Sequence, residues 1–415
     1  MESLLRVVRR HSVLTFAAVL ALGLGLVAPA WSQQPAPPTW KQGQPAELAN
    51  STLAPIFTPP APMAAEKIPV SKIKVPPGFK VELWAAGIHN ARAMTLGSKG
   101  TLFVSSRLPG GSVYAVLDRG GKREVKTIAK GLDMPNGVAF RDGSLYVAAQ
   151  NRILRYDGIE DKLDNPGEPV VVIDSLPKHQ PHGWKYLAFG PDGKLYFNIG
   201  APGNIILPPE TNANISRINP DGTGFEYVAR GVRNSVGFDW HPVTKELYFT
   251  NHGRDWLGED VPNDTLHQVS SRNVPHFGYP FCHQGDILDP DFGKGHACSE
   301  FNPPLMKLGP HIAPIGTMFY TGSMFPAQYK NRLFIAQRGS WNRTERLGYG
   351  LTTVTLAMGQ PPKQEGFASG WLENNQPWGR PAYLFQMPDG SLLVSDDYNG
   401  AVYRVSYGSE GVVGR

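Results

Sequence analysis

His182, Arg233 and Arg380 stand at matched distances ahead of three tight turns: nine residues before Pro191, nine before Pro242 and eight before Pro388. Aligned on the apolar stretches that follow them, His311 and His89 fall near the same place in two further segments. A histidine is a proton acceptor near neutral pH, with an unperturbed pKa of about 6.5. An arginine offers a planar fork of donors that matches a carboxylate. More polar groups close a second set of apolar stretches: Asn251-His252-Gly253-Arg254, Gln337-Arg338 with Trp341 and Arg343 beyond, and Asp396-Asp397. Singly, each has a plain structural reading, as a salt bridge, a satisfied core histidine or a turn cap. Together, Arg233, Arg254, Arg338, Arg343 and Arg380 gathered at one mouth would repel one another, so the set predicts a multiply anionic ligand recognised by guanidinium groups. Trp184, Trp256 and Trp341 are candidate surfaces for stacking a sugar ring, or else packing residues.

The elements that bring these groups together are written as a repeat. An apolar stretch, a turn and a second apolar stretch occur six times, and the second stretches read TLFVSS, SLYVAA, KLYFNI, ELYFTN, RLFIAQ and SLLVSD. The first four are separated by 43, 50 and 52 residues, a longer insertion follows the fourth, and a second insertion, around residues 360–375, precedes the sixth. A two-stranded phrase cannot bury its own apolar face, so such units pack side by side. Short strands at this period predict an all-β fold, a six-bladed β-propeller with loop insertions on its top face. In each blade the chain entering the inner strand and the chain leaving the second strand share that face. The segment IKVPPGFKVELWA, beginning at Ile73, is expected to help close the ring, and the folded domain to span residues 67–415.

The 415 residues are 41% hydrophobic and 18% charged, with 46 Gly and 38 Pro, a turn-rich globular composition. The net charge of +5 is small for the length and no basic run carries interleaved aromatics, which argues against a nucleic-acid partner. Residues 1–32 resemble a secretory signal: Arg6, Arg9 and Arg10, an apolar run from Val13 to Val27, then Ala30-Trp31-Ser32. That run is shorter than the ~20 residues a membrane span needs, so a periplasmic or secreted protein without a stable span after cleavage is expected, an uncleaved membrane anchor being the alternative. Residues 33–66 are rich in Pro, Ala and Gln and read as an extended linker. Cys282 and Cys298 are the two cysteines, and in an exported chain they read as one disulfide. A zinc site with His283 and His296 is the alternative.

With these residues in place, a resemblance follows. His182-Gly183 ahead of GPDGKLYFNIG, Arg233-Asn234 ahead of GFDWHP, the segment Thr250 to Arg254 and WGRPAYLFQMPDGSLLVSDDYNGAVYRVSY resemble the soluble pyrroloquinoline-quinone (PQQ) sugar dehydrogenases, closest to the sorbosone dehydrogenase branch. The resemblance implies PQQ and Ca²⁺ on the top face, PQQ bringing three carboxylates. It implies His182 as general base, Arg233 and Asn234 at the quinone end, and Arg338, Arg343 and Arg380 on carboxylates. Calcium would take the backbone carbonyls of Gly253 and Arg254. Hydride would pass from a sugar or sugar aldehyde to the quinone, and electrons would leave to an external acceptor such as a cytochrome. Arg254 departs from the family pattern, where the glucose-oxidising members have Pro, and the cysteine insertion is not shared with them. Two other readings stand beside this one. One is a calcium-dependent lactonase recruiting Asn136, Asn198, Asn251 and Asp396, and the other is a non-catalytic propeller that binds a glycan or protein.

Overall fold

The computed structural model describes residues 38–408, apart from 180, 271–272 and 358. Six four-stranded antiparallel sheets form the six blades of a propeller. Their second strands are Leu102–Ser106, Ser144–Ala148, Leu195–Ile199, Leu247–Asn251, Leu333–Gln337 and Leu392–Asp396, the six repeated phrases. Their inner strands are Ala91–Leu96, Gly137–Arg141, Leu187–Phe189, Phe238–Trp240, Pro314–Phe319 and Pro381–Gln386. The described residues contain no α-helix, only short 3-10 turns, and no helix among them is long and apolar enough to cross a membrane.

The third residue of the repeated phrase explains how blades adhere. Phe103, Tyr146, Tyr196 and Tyr248 each meet an aromatic at the end of the next blade's inner strand. The partners are Phe140, Phe189, Trp240 and Phe319, at centroid separations of 5.9, 5.1, 4.9 and 5.3 Å. Such pairs add about 0.5–1.5 kcal/mol beyond their burial. The phrase therefore encodes both a strand and a contact between neighbours.

Ring closure falls to the strand Phe79–Ala86, which pairs antiparallel with Ala401–Tyr407 and completes the blade begun by Pro381–Gln386. Its first residue is the anchor: the Phe79 ring lies within 4.8–5.3 Å of Phe325, Tyr329, Phe367 and Tyr407. Replacing Phe79 by Ala should cost roughly 3–5 kcal/mol, read as a lower urea midpoint.

Two insertions differ in kind. Blade 4 runs Phe238–Trp240, Leu247–Asn251, Asn263–Val269 and Met306–Pro310, with the cysteine loop between its last two strands. Cys282 and Cys298 form the expected disulfide, with Cα atoms 5.4 Å apart. The stretch 360–375, expected as an insertion, instead supplies the outer strand of blade 5, Lys363–Ala368, before a small hairpin. The supposed leader and residues 33–37 lie outside the described residues. Residues 38–66, expected as an extended linker, are instead seated on the propeller. Ile56 and Met63 pack against a core cluster, and the Met63 N–H donates to the Asn399 carbonyl at 2.9 Å.

Candidate functional site

The top face is where inner strands begin and second strands end, and blades 3 and 4 meet there through one residue. His182 Nδ1 donates to the Ala201 carbonyl at 2.9 Å, and the Ala201 N–H donates to the Arg233 carbonyl at 2.8 Å. Since a carbonyl only accepts, the proton of the neutral ring sits on Nδ1 and the lone pair on Nε2. Burial, then the charge of Arg233, pushes the His182 pKa well below 6.5. The side chain is thus a neutral base in a fixed tautomer. Its seat requires glycine next door: a Cβ on Gly200 would lie 2.5 Å from the His182 Cβ. Gly200→Ala should therefore depress turnover and also cost about 1–3 kcal/mol, because the new Cβ would meet the His182 backbone oxygen at 2.6 Å as well, checked by kinetics alongside urea titration.

Arg233 is buried and held on all sides. Its Nε donates to the Asn204 carbonyl and Nη2 to Asn204 Oδ1, both at 2.8 Å, and Nη2 also reaches Asp255 Oδ2 at 3.0 Å. Asn234 turns its amide toward His252 Nδ1 at 3.2 Å. His252 Nε2 faces the Pro314 carbonyl at 3.0 Å, so that nitrogen carries the proton and Nδ1 accepts. The Asn234 Oδ1 is buried without a partner, an acceptor left over beside Arg233.

Burial pushes His252 and His267 down to about 3 and His179 to about 4. Unfolded histidines titrate near 6.5, so below that value the unfolded chain binds more protons. Stability should then be complete above about 6.5 and fall as pH drops toward 3–4, visible as declining urea midpoints across that window.

The arginines divide into two kinds. Three have an aspartate each: Arg233 with Asp255, Arg254 with Asp289, and Arg343 with Asp260. Arg343 also donates to the Glu259 and Glu345 carbonyls, which ties it to the blade-4 loop rather than to the other cations. The sequence argument that all five need an external anion is corrected for these three. The others crowd one carboxylate. Asp397 accepts from Arg338 Nε and Arg380 Nε, both at 2.6 Å, and lies 3.2 Å from Arg92 Nε. Burial alone would raise the Asp397 carboxyl, but Arg338, Arg380, Arg92 and Arg107 together hold it well below the usual carboxylate range.

Arg92 and Arg107, both from blade 1, were not singled out in the sequence. Arg107 directly follows TLFVSS as Arg338 follows RLFIAQ, a parallel that could have found it. Its guanidinium lies 4.4 Å from the centre of the Trp184 ring. Burial, then Arg92 and Arg338, weighs against its charge. Arg92 Nη1 and Arg107 Nε are buried without hydrogen-bond partners. Asp396, beside Asp397, is occupied by the Arg380, Tyr398 and Asn399 N–H groups and the Tyr403 hydroxyl. Even counting it, four cations exceed two carboxylates.

The remaining candidates find other roles. Arg380 gives Nη1 to the Ile56 carbonyl and Nη2 to Thr58 Oγ1, so its donors go to the N-terminal segment and Asp397. Trp184 carries Arg107 on its ring and sits 6.0 Å from His182, edge to face. Trp341 is edge-packed between Trp40 and Trp256 at 5.7 and 5.5 Å. The Arg254 side chain points to Asp289 and Asp291 in the cysteine loop. Buried Lys185 donates to the Gln150 and Gly183 carbonyls and is pushed down to about 7 by burial.

The lactonase set is largely engaged elsewhere, although the Asn136 Oδ1 is buried without a partner. Asn136 donates to the Lys185 carbonyl and Tyr383 hydroxyl, Asn198 is bonded to Tyr186 and Trp184, and Asn251 accepts from the Asn234 N–H. Among the described residues no group of three or more His, Cys, Asp or Glu is arranged to hold a metal.

A family model described as TrAA12-like matches residues 73–407. A relative from Borreliella burgdorferi, described as an uncharacterized protein, is 34% identical over 360 residues, 83% of this chain and 93% of that one. The holo form of the PQQ domain of pyranose dehydrogenase from Coprinopsis cinerea aligns with a TM-score of 0.69 at 18% identity, over 80% of this chain and 97% of that chain. The calcium structure of a family AA12 carbohydrate-active enzyme from Trichoderma reesei aligns at 0.67 and 17% identity, over 86% and 99%. At these identities the likeness in structure is one of fold.

Proposed function

This chain belongs to the TrAA12-like family, and on that premise we propose that it is a PQQ-dependent oxidoreductase that oxidises a sugar or sugar aldehyde. The observation that carries the reading is the excess of positive charge around Asp397, with partnerless guanidinium nitrogens on Arg92 and Arg107. A dry cluster of that kind is tolerable when an anion enters it, and carboxylates are the natural guests of arginine. The pyranose dehydrogenase domain compared above is a PQQ domain in its holo form, and PQQ is a tricarboxylate that supplies a carbonyl able to accept hydride.

The residues fit that group. Arg92, Arg107 and Arg338 would take its carboxylates, and Asn234 with Arg233 would border its quinone end. Calcium fits less completely. The Gly253 and Arg254 carbonyls are two oxygens where the ion takes six to eight, so its other ligands would have to come from cofactor and water. The Arg254 cation does not oppose it, because Asp289 matches that charge.

The protein's own part in the reaction is the proton and the charge. His182 accepts a hydroxyl proton at Nε2, while Nδ1–H on Ala201 keeps the ring from turning. Arg233, immobilised by Asn204 and Asp255, presents fixed positive charge beside that base and stabilises negative charge as it develops on oxygen. Export to an oxidising compartment is part of the proposal, supported by the disulfide. A sorbosone-like substrate and a cytochrome acceptor are its narrower form.

Reconstitution separates the readings. Purified chain mixed with PQQ, with and without Ca²⁺, should reduce a dye with aldoses or aldehydes. Lactone hydrolysis without quinone would give the site to the lactonase, and neither activity, with no quinone bound, to a binding propeller.

A further inference from the structure

Residues 38–63 run over the mouth that holds these groups, touching blades 3, 4, 5, 6 and 1. Gln42 is bound twice by Asn204 of blade 3, Oε1 accepting its N–H and the carbonyl accepting Nδ2, both at 2.7 Å. The Trp40 carbonyl accepts Trp256 Nε1 of blade 4 at 2.7 Å, and its ring packs on Trp341 of blade 5. Farther along, Ile56 and Thr58 take the Arg380 donors of blade 6. Thr58 Oγ1 also accepts Asn90 Nδ2, and the Pro59 carbonyl meets His89 Nε2, both at 2.8 Å in blade 1.

The propeller is cut to receive this segment. A Cβ on Gly203 would stand 2.4 Å from Gln42 Oε1, and one on Gly400 would stand 2.7 Å from the Pro62 Cβ. Gly43 has φ +74°, and a Cβ there would meet Arg254 Nη2 at 2.9 Å. Glycine on both sides of the contact marks a fitted seat. The segment also reaches the chemistry through one residue, since Asn204, which it grips, is the residue that fixes Arg233.

We propose that residues 38–63 are a fixed wall of the mouth, seated by Gly203 and Gly400 and pinned by Asn204 and Arg380, that determines which ligands pass. It retains the polycarboxylate cofactor once loaded. It favours a monosaccharide-sized substrate over a polysaccharide end, because the segment occupies rim positions of blades 3, 4, 5, 6 and 1 that a polymer would have to cross. The identity of the cofactor rests on the preceding reading, while the wall rests on its own contacts.

The test compares the unaltered chain with Gly203→Leu, which displaces Gln42, and with Trp40→Ala, which removes the ring packed on Trp341 while leaving the propeller core and the Arg380–Asp397 pair intact. Hydrogen exchange of residues 38–63 is followed without cofactor, and release of bound PQQ and the ratio of kcat/KM for a monosaccharide over an oligosaccharide are followed with it. Expected are slow exchange in the unaltered chain, and in the variants faster exchange, at least tenfold faster release and a smaller ratio. Exchange in the unaltered chain as fast as in a free peptide overturns the wall. So do variants that loosen the segment without changing release or size preference, and variants that leave its exchange slow. Failure of the unaltered chain to bind PQQ, with residues 38–63 protected, refutes the cofactor and leaves a wall whose loosening by the variants is still read from exchange.

Discussion

His182→Ala lowers turnover by at least ~10²-fold while PQQ still binds. The two halves of that expectation come from different atoms. In the proposed function the base is Nε2, whose lone pair is fixed by the Nδ1 bond to Ala201. In the same reading the anion would be held elsewhere, by guanidiniums of blades 1 and 5 that His182 does not contact. Equilibrium binding of the quinone, followed by its absorbance, should therefore match that of the parent. The pH profile carries a second expectation. Burial first, and Arg233 next, keep the His182 ring neutral well below its ordinary pKa, so the acid limb of kcat/KM should fall below about 6.5. Unchanged turnover in the alanine variant, or an acid limb above that value, would move the proton-accepting role to another residue.

How far the sequence discloses such a site depends on whether the positions are tied to the repeat. The six strands were legible because TLFVSS and its copies combine β-forming residues with an aromatic that the next blade needs, as Tyr146 needs Phe189. His182 and Arg233 were legible because they keep a constant distance from a turn. Arg107 was equally legible by its place after a repeated phrase. Arg92 was not: the pairing slips between Ala91 and Met94, a bulge that breaks the alternation from which inward positions are counted. The same slip recurs at Pro314/Thr317 and Pro381/Leu384. The internal counterions were hidden for another reason. Asp397 comes from the opposite end of the chain to Arg92, and although its place after SLLVSD puts it at the same mouth, no spacing rule pairs the two. The segment 38–63 is hidden by composition, because a Pro-rich stretch looks the same in solvent as on a surface. Only the glycines opposite it, Gly203 and Gly400, carry the signal, and their meaning requires three dimensions.

The counterion arrangement sets the second large effect. Asp397→Asn keeps the shape of the side chain and removes the charge shared by Arg92, Arg338 and Arg380. All three are desolvated to some degree, with Arg92 and Arg380 each 1% exposed, so water cannot replace what is lost. Removing one partner of a buried ion pair costs roughly 3–5 kcal/mol, and the cofactor-free variant should lose that much in urea titration. The pair at the rim is the control. Asp260, whose side chain is 84% exposed, faces Arg343, and Asp260→Asn should cost about 0–1 kcal/mol. Adding PQQ should then recover stability in Asp397→Asn, because a ligand that binds only the folded chain raises stability with its concentration, and here it also brings carboxylates to unmatched cations. Equal small losses in the two variants would mean that Asp397 does not bear the charge of the cluster, and the argument for an anionic cofactor would lose its physical basis.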